Sequence, residues 1–163
     1  MRKKNVVSPV KKRLKAVLLA AMSRLRSHAK RVELPNVDES TFRSFFLAEL
    51  RRRYPAKCET EWKRFDLFVD WPGNRTLIEF KFYLYKGRKG GPSFKNRREF
   101  DACKEKLLKH DGDEIVTKWL VLVYQCDPKS GGKHTFEKHY DREGVLIGPH
   151  AMDGVLTCRL IEV

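Results

Sequence analysis

Asp66, Glu79 and Lys81 stand where the alternation of two strands asks for apolar residues. Two carboxylates and an ammonium brought to one point can hold a hard divalent cation through oxygen. They can also present a fixed positive charge to a phosphate and orient or deprotonate a water. That is the chemistry of metal-assisted phosphodiester hydrolysis.

The spacing predicts how the three residues meet. Arg64–Trp71 reads as one strand, Pro72-Gly73-Asn74-Arg75 as a four-residue turn, and Thr76–Phe82 as the next strand. Side chains alternate faces along a strand. Ile78, Phe80, Phe82 and Leu84 therefore share one face, and Leu77, Glu79, Lys81, Tyr83 and Tyr85 the other. In the first strand Phe65, Leu67, Val69 and Trp71 oppose Asp66, Phe68 and Asp70. With a four-residue loop Trp71 pairs with Thr76, Phe68 faces Glu79, and Asp66 faces Lys81. Asp66 and Glu79 become diagonal neighbours about 7–8 Å apart at the backbone, close enough for their carboxylates to converge. A one-residue slip would part them onto opposite faces. The competing reading makes Glu79 and Lys81 a solvated strand face with Asp66 in a surface ion pair. The large apolar residues of both strands speak instead for central strands.

The elements that must position this trio follow from the rest of the chain. Asp38-Glu39-Ser40-Thr41 opens a helix that runs to about Arg53, with Phe42, Phe45, Phe46 and Leu50 as its stripe and Tyr54-Pro55 as its stop. Cys58–Lys63 reads as a strand before the hairpin. Ser93–His110 reads as an amphipathic helix and Lys118–Gln125 as a buried central strand. Thr135–Arg142 is a short helix and Leu156–Val163 a last strand. The order α-β-β-β-α-β predicts an α/β fold, a mixed central sheet flanked by helices.

Asp66 followed by Glu79-Phe80-Lys81 resembles the core motif of the PD-(D/E)XK nuclease superfamily, the restriction-endonuclease-like fold. The resemblance spans roughly residues 38–126. The residue before Asp66 is Phe65, where the superfamily pattern has Pro. The resemblance implies a metal-dependent nuclease acting on DNA. It implies that Asp66, Glu79 and the Phe80 carbonyl hold Mg²⁺ or Mn²⁺ and that Lys81 assists the water or the phosphate. A further acid from the preceding helix is implied, Glu39 ahead of Glu49, with Glu61 a third choice. On the following helix Arg98, Asp101 and Lys104 are candidates to line the cleft, beside the reading that they form a solvated face. Small nucleases of this kind often act as dimers, and no heptad decides for or against a homodimer.

The charge distribution bears on partners. The 163 residues carry a formal net charge of +14. Residues 1–32 hold eleven Lys and Arg and no acid, so the remaining residues 33–163 are nearly balanced. Ser8-Pro9 followed by Val10, Leu14, Val17, Leu18, Ala21 and Leu25 predicts a basic amphipathic helical arm ahead of the nuclease-like domain. That arm can dock on the body and contact phosphates through Lys11, Lys12 and Arg13. It can lie on an anionic membrane surface, or serve as an organellar import peptide. Lys86, Arg88 and Lys89, in a Gly-rich loop after the Glu-x-Lys strand, are further candidate phosphate contacts. A chain of this fold without turnover, binding nucleic acid or assembling through the arm, is the alternative function. No apolar run reaches the roughly 20 residues of a membrane span. The four cysteines have no metal-site spacing, and an intracellular, cytoplasmic protein with reduced thiols is expected.

Overall fold

The computed structural model describes residues 8–32, 36–84, 94–126, 136–148 and 156–163. Two helices come first, α1 (Pro9–Ala29) and α2 (Glu39–Arg53). Strands β1 (Lys57–Trp62), β2 (Phe65–Trp71) and β3 (Asn74–Tyr83) follow, then α3 (Phe94–Lys109) and β4 (Thr117–Gln125). The chain ends with α4 (Phe136–Tyr140), β5 (Val145–Ile147) and β6 (Leu156–Glu162). The strands form a six-stranded mixed sheet in the order β1-β2-β3-β4-β6-β5. β3 and β4 are parallel and joined through α3, and the other neighbours are antiparallel.

Alternation sorts the side chains into two cores. Leu67, Val69, Trp71, Ile78, Phe80, Trp119, Val121 and Val123 face α1 and α2. Leu77, Tyr83, Leu120, Leu122 and Tyr124 face Phe100 and Leu107 of α3 and Phe136 and Tyr140 of α4. β4 buries both faces, as its apolar run requires.

The β2–β3 hairpin corrects the expected register. Its loop is two residues, Pro72-Gly73, and Trp71 pairs with Asn74 rather than Thr76. Pro at the first loop position and Gly73 at φ +79° at the second have the chemistry of a type II turn, which closes without Asn74 and Arg75. Asn74 instead begins β3, and its side chain accepts from the Thr76 and Thr117 hydroxyls at 2.8 and 3.0 Å. The shift is two residues, so every face is preserved. Continued one step beyond the Leu67–Ile78 pair, the register sets Asp66 opposite Glu79 rather than Lys81.

The helix of the N-terminal arm is a layer of this fold. Val10, Leu14, Val17, Leu18, Ala21, Met22 and Leu25 are all buried, in the same core as α2 and the sheet. Its cations bind the body as well. Lys11 pairs with Glu162 at 3.4 Å, and the Arg13 guanidinium lies 5.5 Å from the Trp71 ring and 5.7 Å from Tyr54. Arg26 donates to the Leu156 carbonyl at 3.0 Å. Among the described residues, no helix is long and apolar enough to cross a membrane.

A buried layer and a loose arm differ in what a truncated side chain costs. Leu18→Ala should lower unfolding free energy by about 2–5 kcal/mol in denaturant titration, as for other core leucines. A loss below about 0.5 kcal/mol would mean that α1 is not part of the core.

Candidate functional site

Aromatic packing brings α2 to the central strands. Phe80, fully buried, meets Phe42 and Phe46 edge-on at 5.9 and 5.2 Å between ring centroids. Asp38 caps the helix, its carboxylate accepting the Thr41 N–H at 2.7 Å. Glu39 and Arg43 lie on either side of Phe42, one helical turn apart, and the clamp on Phe80 carries both toward β2 and β3.

Asp66 is held from two sides. Its Oδ2 accepts the Phe80 backbone N–H at 2.7 Å, and its Oδ1 lies 3.4 Å from Arg43 Nη1. Arg43 also donates to the Asp66 carbonyl at 3.3 Å and to Glu61 at 2.5 Å, and stands 3.9 Å from Glu39. Glu79 is only 3% exposed. Its Oε1 accepts from Lys106 Nζ of α3, which also donates to the Arg64 carbonyl. The Cys103 thiol lies 3.9 Å from Glu79 Oε2.

The electrostatics tie these groups into one cluster. Burial pushes the Glu39 carboxyl up to about 7, helped by the charge of Asp66 and opposed by Lys81 and Arg43. Burial likewise raises Glu79, with Lys106 pulling down and Asp66 pushing up. Burial works against the charge on Lys81, but Cys103, Glu39 and Asp66 around it hold its ammonium above the ordinary lysine value. Burial pushes the Cys103 thiol above its ordinary value, opposed by the Lys81 charge. Acids raised and a lysine held charged within one site are the pattern expected of a functional centre.

The structure therefore brings together Glu39, Asp66, Glu79 and Lys81 from α2, β2 and β3. It separates Glu49, which is buried and bound by Arg24, Arg52 and Arg53 at 3.4, 2.8 and 3.2 Å. Glu61 stands at the rim, joined through Arg43. Arg13 lies at the Tyr54 end of α2, away from Glu39, Lys11 is paired with Glu162, and Lys12 in the same turn is exposed. Lys86, Arg88 and Lys89 fall outside the described residues. On α3, Arg98 lies on the solvent side, Asp101 pairs with Arg97, and Lys104 pairs with Glu143 at 3.1 Å.

Sequence reasoning missed Arg43, Cys103 and Lys106. Arg43 follows Glu39 by four residues, a spacing that signals a shared helix face. Cys103 and Lys106 are three apart and border the Phe100–Leu107 stripe, the only sequence signal they carry.

The donor set suits a hard cation. Asp66 and Glu79 offer carboxylate oxygen, and Glu39 stands by. The Phe80 N–H points at Asp66, and in a strand the carbonyl of the same residue points to the same side. Among the described residues, no three His, Cys, Asp or Glu side chains stand close enough to cage an ion. Two carboxylates with water and phosphate completing the shell are nonetheless the usual arrangement for Mg²⁺. No family model matches the chain, and no curated protein and no solved structure matches it either.

The raised Glu39 fixes a pH dependence. A carboxyl whose folded value lies near 7, against an ordinary 4.5, binds its proton more tightly in the folded state. The stability it contributes is full below about pH 4.5 and is lost as pH rises through 7. Glu39→Gln should flatten the fall in stability between pH 5 and 8 and gain about 2 kcal/mol at pH 8, after allowing for partial exposure. Unfolding curves for mutant and wild type that stay parallel across this range would refute the assignment.

Proposed function

We propose that this chain is a metal-dependent nuclease of the PD-(D/E)XK type, hydrolysing phosphodiester bonds with DNA as first substrate. The convergence of Glu39, Asp66, Glu79 and Lys81 from three separate elements onto one cluster carries this reading. The chain order from α2 through β1, β2, β3 and α3 to β4, with β3 and β4 parallel, agrees with the superfamily's arrangement.

Asp66 and Glu79 would hold Mg²⁺ or Mn²⁺, with the Phe80 carbonyl beside them. When bound, the ion would lower the pKa of a water and neutralise charge on the phosphate oxygens. Lys81, kept cationic by its neighbours, sets a point charge beside the scissile group and orients the water. Glu39, with a value near 7, can take up a proton at neutral pH. Arg43 fixes Asp66 and Glu39 relative to each other.

The polyanion needs cations that are open to solvent. Arg24 meets Phe45 and Glu49, and His28 packs on Phe45, so the last turns of α1 run beside the middle of α2. Ser23, Arg24, Ser27, His28, Arg31 and Phe45 line a concavity there of about 370 Å³. Its donors are hydroxyls, guanidiniums and an imidazole, with no lining carboxylate. Lys30 and Arg31 are exposed beside it.

One observation favours a second reading. Asp66 and Glu79 each already have a side-chain cation, Arg43 and Lys106. A nuclease fold that binds nucleic acid without turnover would keep such pairs permanently.

Cleavage of labelled single-stranded, duplex and branched DNA in Mg²⁺, Mn²⁺ or EDTA separates the two. The nuclease predicts metal-dependent cleavage that falls about 10²–10⁴-fold in Lys81→Ala with binding retained. No cleavage in any metal, with salt-sensitive binding intact, selects the second reading. In either case the double substitution Lys30→Ala/Arg31→Ala should weaken DNA binding and reduce the slope of log K against log salt by about 1–2. An unchanged slope would remove this end of α1 from the interface.

A further inference from the structure

We infer that Lys106 is the resident counter-cation of the acidic centre, and that Glu79 becomes available to a divalent cation only when Lys106 releases it. This rests on the metal-dependent reading above and adds a positioning residue to it.

Glu79 sits 3% exposed in the middle of β3. A carboxylate so placed needs a compensating charge whether or not an ion is present. Lys106 supplies that charge. Its Nζ donates to Glu79 Oε1, and it lies 4.6 Å from the Phe65 ring centroid. A cation bound by Glu79 would share its carboxylate with the ammonium on Oε1, and two positive charges crowded at one carboxylate repel strongly in a half-buried site.

Lys106 is also built to move. Its side chain is 36% exposed, on the flexible four-carbon stem of a lysine. Its second acceptor, the Arg64 carbonyl, does not depend on Glu79. After release the ammonium keeps that partner and remains at the rim of the site. Arg43 lacks this freedom, being fixed by Glu61, by the Asp66 backbone and by Glu39. The exchange at Glu79 therefore belongs to Lys106.

The test is calorimetric titration of Mn²⁺ into the full chain, comparing wild type, Lys106→Met, Lys104→Met and Glu79→Gln. Lys104 lies on the same helix but pairs with Glu143, so its loss changes net charge equally without touching Glu79. Lys106→Met should bind Mn²⁺ about tenfold more tightly than wild type, with Lys104→Met within twofold and Glu79→Gln binding weakly or not at all. Without metal, Lys106→Met should melt below wild type and recover more of its Tm on adding Mn²⁺. Should the methionine variant fail to fold, Lys106→Gln keeps an N–H donor for Glu79 and carries the same expectation. Affinity in the Lys106 variants no greater than in Lys104→Met overturns the inference. So does an absence of Mn²⁺ binding in all four proteins, which removes the metal-dependent reading as well. Tighter binding in the Lys106 variants with no DNA cleavage in any of them supports the role of Lys106 and overturns the nuclease.

Discussion

A carboxylate buried at the centre of a sheet constrains everything around it. Glu79 lies on β3 between the antiparallel β2 and the parallel β4, where the residue beside it on β4 is Leu120. Its charge cannot be left to water, so compensation comes from other layers. α3 brings Lys106 and Cys103 against it, and the β1–β2 hairpin offers the Arg64 carbonyl as a second anchor for Lys106. That carbonyl belongs to a two-residue turn, Lys63-Arg64, with φ values of 44° and 73°, which side-chain-bearing residues adopt at a cost. α2 then adds Glu39 and Arg43, located by the Phe42–Phe80–Phe46 contact. Helix packing, hairpin geometry and site chemistry meet at this one residue.

The net charge of +14 says less about partners than its size suggests. Much of the basicity of α1 is used internally. Lys11, Arg13, Arg24 and Arg26 bind an acid, two aromatic faces, a second acid and a backbone carbonyl. Their stems cover apolar surface while their heads close the boundary between α1 and the body. A polyanion would meet chiefly the cations left exposed, such as Lys30 and Arg31. Deleting residues 1–32 would therefore strip the core before it reported on binding.

Parity was the legible part of the sequence. Period-2 alternation put Asp66, Glu79 and Lys81 on one face, and that assignment survives any even shift of register. The bounds of α2 were legible too, because the Asp38 cap and the Tyr54-Pro55 stop punctuate it within a residue. The register itself was not, since Pro72-Gly73 and Pro72–Arg75 are both acceptable loops. The choice depends on Asn74 binding Thr76 and Thr117. β5 escaped notice because three residues carry no periodicity. It exists because Gly144, at φ +55°, lets the backbone pass so close to the Leu160 carbonyl that a Cβ would lie 2.3 Å from it. Lys106 escaped because a lysine beside an apolar helix stripe looks the same whether it meets water or a buried acid.

Two buried glutamates in this chain show what separates framework from site. Glu49 and Glu79 are 6% and 3% exposed. Glu49 is gripped by Arg24, Arg52 and Arg53, and the Arg52 hydrogen bond above all holds its carboxyl below the ordinary value. Planar guanidiniums fit such a pair and release it reluctantly. Glu79 has a single lysine, a neighbouring acid and a thiol, and burial leaves its carboxyl above the ordinary value. A fold that needed only to neutralise Glu79 has the solution already in use at Glu49. Under the proposed metal-dependent reading, the under-compensated arrangement leaves room for one more cation, and the compact, exchangeable ammonium of Lys106 is the partner that would give way to it.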